Sequence, residues 1–88
     1  MNQSILFSDI QTWNEAKQVV LFPAQCCGAL IQCQISKKAL EKMSGCLLKD
    51  EQHILTVFSQ CRFEIEELAE ALIEDEAFDQ TGMIEISN

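Results

Sequence analysis

The strongest constraint on the fold is an apolar seam, Ile54, Phe58, Cys61, Ile65, Leu68 and Leu72, whose members recur alternately four and three residues apart. That spacing is the buried stripe of an amphipathic α-helix. Each large side chain on it gains about 1.5–3 kcal/mol on leaving water, so the stripe has to be covered. The pattern predicts one long helix from Asp50 to Phe78. Asp50 is placed to cap its N-terminus, and Glu51 suits the positive end of the helix dipole. The run Asp79-Gln80-Thr81-Gly82 signals its end.

The other side of this helix is acidic. At about 100° per residue, Phe63 lies about 180° from Ile54 and points away from the core. Glu66, Glu67, Glu70 and Glu74 fall around it. From Phe63 onward there is no Lys or Arg, while Glu64, Glu66, Glu67, Glu70, Glu74, Asp75, Glu76, Asp79 and Glu85 are all acidic. Like charges three or four residues apart cost a few tenths of a kcal/mol per pair in an isolated helix. Three roles are open to this side. It is a solvated face with Phe63 tucked under a loop, a docking patch for a basic partner with Phe63 as aromatic anchor, or a self-association contact.

The rest of the chain supplies the cover. Ile5-Leu6-Phe7 reads as either an edge strand or an arm packed on the core, and Trp13 folds back from a polar segment over one end of the sheet. Gln18 to Phe22 reads as a strand stopped by Pro23, which has no N–H for a ladder. Ala24 to Gly28 forms a turn, and Ala29 to Ile35 returns as a second strand. Its Ile31, Cys33 and Ile35 face inward, and Leu30, Gln32 and Gln34 outward. Ser36 caps a short helix over Lys37 to Ser44 whose Ala39, Leu40 and Met43 are apolar, with Gly45 as its C-terminal stop. Cys46-Leu47-Leu48 buries its leucines between the two helices. Gly82 opens a final strand with Ile84 and Ile86 inward. The fold class is α+β, in the order β-β-α-α-β. A small antiparallel sheet, made of a β-hairpin, a C-terminal strand and a candidate N-terminal strand, packs on a short and a long helix.

The length of 88 residues predicts one domain, 1–88, with one core. A net charge of −8 argues against nucleic acid and against anionic membrane surfaces, both of which need clustered Lys and Arg. No apolar run is long enough to span a bilayer, and the first residues lack the pattern of a signal peptide. Cys26, Cys27, Cys33, Cys46 and Cys61 are odd in number and irregularly spaced, which points to a reducing cytoplasm rather than a disulfide framework.

Catalytic chemistry finds little support. Zinc sites pair thiolates two to four residues apart and redox sites use Cys-x-x-Cys; neither spacing occurs here. Adjacent Cys26 and Cys27 can close a disulfide only with strain. His53 stands near Asp50 at the helix start, where a local hydrogen bond to the cap is the simple reading and a dyad with Cys46 the sharper one. Helical carboxylate metal sites use Glu-x-x-His, and the single His lies at the wrong end. Arg62 flanks the seam, its stem over the core edge and its head near Glu66. No cofactor and no metal site is expected.

One resemblance covers nearly the whole chain. Trp13, Val20-x-Phe22-Pro23-Ala24, Gly28, Cys33-x-Ile35-Ser36, Ala39-Leu40, then Phe58, Arg62, Ile65 and Gly82-x-Ile84 follow one another in the order and spacing of a known group. In these residues the sequence resembles the small bacterial proteins grouped as domain of unknown function 1488. The resemblance implies a compact α+β fold in a bacterial cytoplasm and carries over no functional residues. The expectation is therefore an interaction or accessory domain without catalysis. It presents Phe63, Glu66, Glu67, Glu70 and Glu74 to an unknown, basic protein partner and stands as a monomer or homodimer. The alternative is a small-molecule or thiol-dependent activity at Cys26, Cys27 or His53.

Overall fold

The computed structural model describes residues 5–86 of the chain. Five strands make one sheet: β1 (Ile5–Phe7), β2 (Thr12–Asn14), β3 (Val19–Cys26), β4 (Ala29–Ser36) and β5 (Ile84–Ile86). Between β4 and β5 run α1 (Lys37–Ser44), α2 (Glu51–Gln60) and α3 (Arg62–Glu74). The sheet order is β1-β3-β4-β5, with β2 pairing β3 beside β1. The architecture is α+β in two layers, with the helices on one face of the sheet.

The hairpin is longer than the sequence suggests, because Pro23 lies inside β3 opposite Gln32 instead of ending it. The turn is only Cys27-Gly28, both with positive φ (56° and 81°), the geometry of a type I′ hairpin turn. Counting back from that turn, alternate residues of β3 direct their N–H toward β4, and position 23 directs its nitrogen the other way. On that edge β1 pairs Ala24 to Cys26 and β2 pairs Val19 to Leu21. Pro23 therefore sits at the gap between two short strands, where no ladder bond is lost. Trp13, expected in a polar segment, is in strand β2 opposite Val20. Its indole packs on the core while Nε1–H donates to Glu15 Oε1 at 2.8 Å.

The expected C-terminal strand forms, but β5 runs parallel to β4, with Cys33 beside Ile84 and Ile35 beside Ile86, so the sheet is mixed and not purely antiparallel. Three helices intervene and turn the chain back to the starting edge, as a parallel neighbour requires. The caps fall where the sequence places them. Ser36 Oγ accepts from the Ala39 N–H at 3.0 Å, Asp50 Oδ1 from the His53 N–H at 2.8 Å, and Gly45 closes α1 at φ 75°.

The long helix is two. At Cys61 the backbone leaves helical geometry (φ −98°, ψ 9°), and its N–H is shared between the Val57 and Phe58 carbonyls at 3.0 and 3.1 Å. Just before this break the Gln11 amide donates to the Leu55 carbonyl (3.1 Å) and to Ser59 Oγ (2.8 Å), an outside donor of the kind that disturbs a helical ladder. The buried seam changes course there. Ile54, Val57 and Phe58 are buried in α2, then Ile65, Ala69 and Ile73 in α3, whereas Leu72 is partly buried and Leu68 is 41% exposed. On a straight wheel Ile65, Ala69 and Ile73 drift about 20°, 60° and 100° from Ile54. The drift follows α3 as it packs on β5. Of the two linker leucines, Leu48 is buried as expected, but Leu47 is 76% exposed. Glu41 Oε2 accepts the Leu48 N–H at 3.0 Å, which fixes the linker with Leu48 inward.

One continuous core joins the layers, with Phe22, Phe58, Ile35, Leu40, Ile65 and Ile84 its largest enclosed side chains. Phe22 and Phe58 meet across the layers at 5.2 Å between ring centres, within the range where aromatic pairs attract.

α3 ends at Glu74, short of Phe78. The Ala77 N–H bonds the Leu72 carbonyl and the Glu76 N–H that of Ile73, a Schellman close with Glu76 at φ 55° where glycine is usual. Glu76→Gly should raise stability by about 0.5–1 kcal/mol through relief of the left-handed strain, measured by urea denaturation. Beyond it, Asp79 organises the turn into β5. Its carboxylate accepts from the Met83 N–H (3.0 Å), from Thr81 Oγ1 (2.7 Å) and from the Thr81 N–H (2.8 Å). These donors, Met83 first, hold its pKa below the usual carboxylate range. A depressed folded-state pKa contributes stability above the unfolded value that is lost as pH falls through the folded one. Asp79→Asn should thus lower the melting temperature at pH 7, with the difference from the parent closing progressively below about pH 3.9 in a pH series of thermal melts.

Candidate interaction surface

α3 sorts its side chains by sector. Measured from Phe63, Glu67, Glu70 and Glu74 lie about +40°, −20° and +20° round the helix, one narrow stripe. All four residues are exposed, Phe63 to 76%. The aromatic ring is under no loop. Glu66 differs, being partly buried and bound to Arg62 Nε at 2.7 Å. The same guanidinium donates through Nη1 to Gln11 Oε1 (2.7 Å) and through Nη2 to the Ser8 carbonyl, and it lies 5.5 Å from the centre of the Phe58 ring. Arg62 therefore ties the β1–β2 link to the helices, and Glu66 is spent on that tie. Among the described residues it is the only charged pair within bonding distance, so the Glu67–Glu70–Glu74 stripe carries its charge unneutralised.

The cysteines divide by environment. Cys26 and Cys27 Sγ are 3.8 Å apart at the hairpin tip. Partial burial, then the Cys27 thiol and the Glu74 carboxylate, push Cys26 up, so the thiol pair and the acidic stripe come within electrostatic reach of each other. Cys33 is fully buried in the core, and burial pushes it up to about 11. Burial again, with Glu64 and Cys46 beside it, raises Cys61.

His53 does not form the dyad with Cys46. Its Nδ1 accepts from the Lys49 N–H at 3.4 Å, and Cys46 Sγ turns to the Ser44 carbonyl at 3.8 Å. Among the described residues no three His, Cys, Asp or Glu side chains converge to hold a metal ion. No helix among them is long and apolar enough to cross a membrane.

The outer face of the sheet, where Leu30 is 74% and Leu6 63% exposed, is a further exposed surface outside the residues expected from the helical period. A signal was present in the uncharged alternation of Leu30, Gln32 and Gln34.

On iodoacetamide pulse labelling read by peptide mass spectrometry, the exposed Cys27 and Cys46 should label first. Cys33 should label only on global unfolding, because reaction needs an accessible thiolate.

Residues 5–86 match the family model described as "Protein of unknown function (DUF1488)". The chain is 36% identical over 85 residues to the uncharacterized protein YrdB of Escherichia coli, and 35% identical to that of Shigella flexneri, with 96% of each chain covered. A crystal structure of a DUF1488-family protein of unknown function from Shewanella loihica superposes with a TM-score of 0.95. It shares 42% identity, with 100% of this chain and 97% of that one covered.

Proposed function

The chain belongs to the DUF1488 family, and on that premise we propose that it is a non-enzymatic interaction domain of the cytoplasm whose α3 stripe docks a basic protein partner. The observation that carries this is the exposed Phe63 ring standing in line with three exposed, unneutralised glutamates. A large aromatic on a charged surface forfeits its burial energy unless something covers it. Aromatic side chains are enriched at interfaces, within a rim that is polar. The glutamates favour a cationic partner, speed its approach and reject acidic ones, copies of the same stripe included.

A thiol-dependent activity at the hairpin tip is the second reading, favoured by the 3.8 Å approach of the Cys26 and Cys27 sulfurs. The upward push on Cys26 lowers its thiolate fraction at neutral pH and weighs against it.

Protein immobilised under reducing conditions should retain a basic partner in stoichiometric amount. Phe63→Ala should weaken that binding by about 2 kcal/mol, or about 30-fold, and Glu67→Lys should weaken it with a marked rise in salt sensitivity of what remains. Both substitutions sit on exposed helix positions and should leave the circular dichroism melt unchanged. Identical retention by parent and variants would sink the proposal.

A further inference from the structure

Opposite the helices, the sheet presents a face that no element among the described residues covers. Inward positions of β3 and β4 are filled by Val20, Phe22, Ala24, Cys33 and Ile35, all buried. The alternating positions of β3 and β4 look out, and all of them except Val19 at one end are at least partly exposed. Leu6, Gln25 and Leu30 form one row across β1, β3 and β4, because Leu6 pairs with Gln25 and Gln25 with Leu30. Pro23 and Gln32 form the next row, and Gln34 lies two residues on. Among all strand positions on this side only Glu85 is charged, and it sits at the rim on β5 beside Gln34. A chain with 20 charged residues in 88 has thus kept the middle of one face free of them.

We propose that this uncharged sheet face is a self-association surface on which a second copy of the chain packs face to face, related by a two-fold axis. Charge selects the occupant. Two copies at −8 each repel through their acidic surfaces, and this face brings the fewest like charges together. Its chemistry is also self-complementary, as a two-fold contact demands. Glutamine amides both donate and accept, so Gln25, Gln32 and Gln34 can pair with glutamines of the second copy. Leu30 projects beside a shallow groove of about 250 Å³ flanked by Leu6 and Pro23, so each copy offers both a knob and a slot. Sheets pack in this way about 10 Å apart.

The size of the face sets the strength. Two eight-residue strands, β3 and β4, with the short β1 and β2 along one edge, give at most roughly 26 by 14 Å, below the area of a standard stable interface, so the dimer is weak and concentration-dependent. It lies across the molecule from α3 and stands independently of the partner proposed for that helix.

Sedimentation equilibrium in reducing buffer tests this with the full chain. Between ~10 µM and ~1 mM, the range for a small interface, the weight-average mass should rise from 10.0 kDa toward twice that value, and should persist in high salt. Leu30→Lys should hold the mass at the monomer value across that range with an unchanged melting curve. Gln32→Lys, which removes no apolar surface, should do the same and guards against a folding defect in the first variant. A parent mass fixed at the monomer value, dimers unaffected by both lysines, or dimers dissolved by salt would each overturn the proposal. The last outcome would assign self-association to the charged helices.

Discussion

One guanidinium group joins the two layers outside the hydrophobic core. Arg62 is the only cation after Lys49 in the sequence, and it reaches the β1–β2 link, α3 and the Phe58 ring at once. Its partners Ser8 and Gln11 belong to a segment whose strands are three residues each, too short to hold their place by ladder bonds alone. Gln11 in turn binds the last turn of α2, next to the break at Cys61. The break, the changed course of the seam and the seating of the N-terminal strands are therefore parts of one arrangement. Charge-assisted bonds at a half-buried site are stronger than surface pairs, which is why a single residue can organise so much of a small domain.

That arrangement also decides which glutamates remain available. Sequence spacing groups Glu66 with Glu67, Glu70 and Glu74, but the Arg62 bond turns Glu66 toward the fold. What is left is a straight stripe along α3, ending near the hairpin tip where Glu74 raises Cys26. Two features that lie far apart in sequence thus share one edge of the molecule.

Much of the fold was legible because it follows from local chemistry. The caps at Ser36 and Asp50, the stop at Gly45, the inward Cys33 and Ile35 and the outward Phe63 all depend on side-chain type and period. The places where the sequence misled depend on neighbours. Pro23 is tolerated in β3 because of how two separate short strands abut it, which no property of residue 23 announces. Trp13 joins a strand because β3 offers it an edge. The Cys61 break and the shift from Leu68 and Leu72 to Ala69 and Ile73 depend on Gln11 and on β5, each far away in sequence. β5 lies parallel to β4 through the path of three helices, which its three residues cannot encode. Of the candidate surface, the acidic stripe could be read from the helical period, whereas the sheet face needed the full topology to show that none of the described elements covers it.

The parallel placement of β5 has a consequence for misfolding. Ile84–Ile86 is a short strip that covers the outer edge of β4 from Cys33 to Ile35, and it arrives about fifty residues after its partner, so it is among the last pairings to form. Until it docks, β4 exposes unpaired backbone groups beside an uncharged, leucine-bearing face, the combination that templates strand addition between chains. The loop that delivers β5 runs over the surface from Asp75 to Gly82 and is open to proteolysis. A single cut there would release the strip that guards the edge and convert a stable domain into a seed for aggregation.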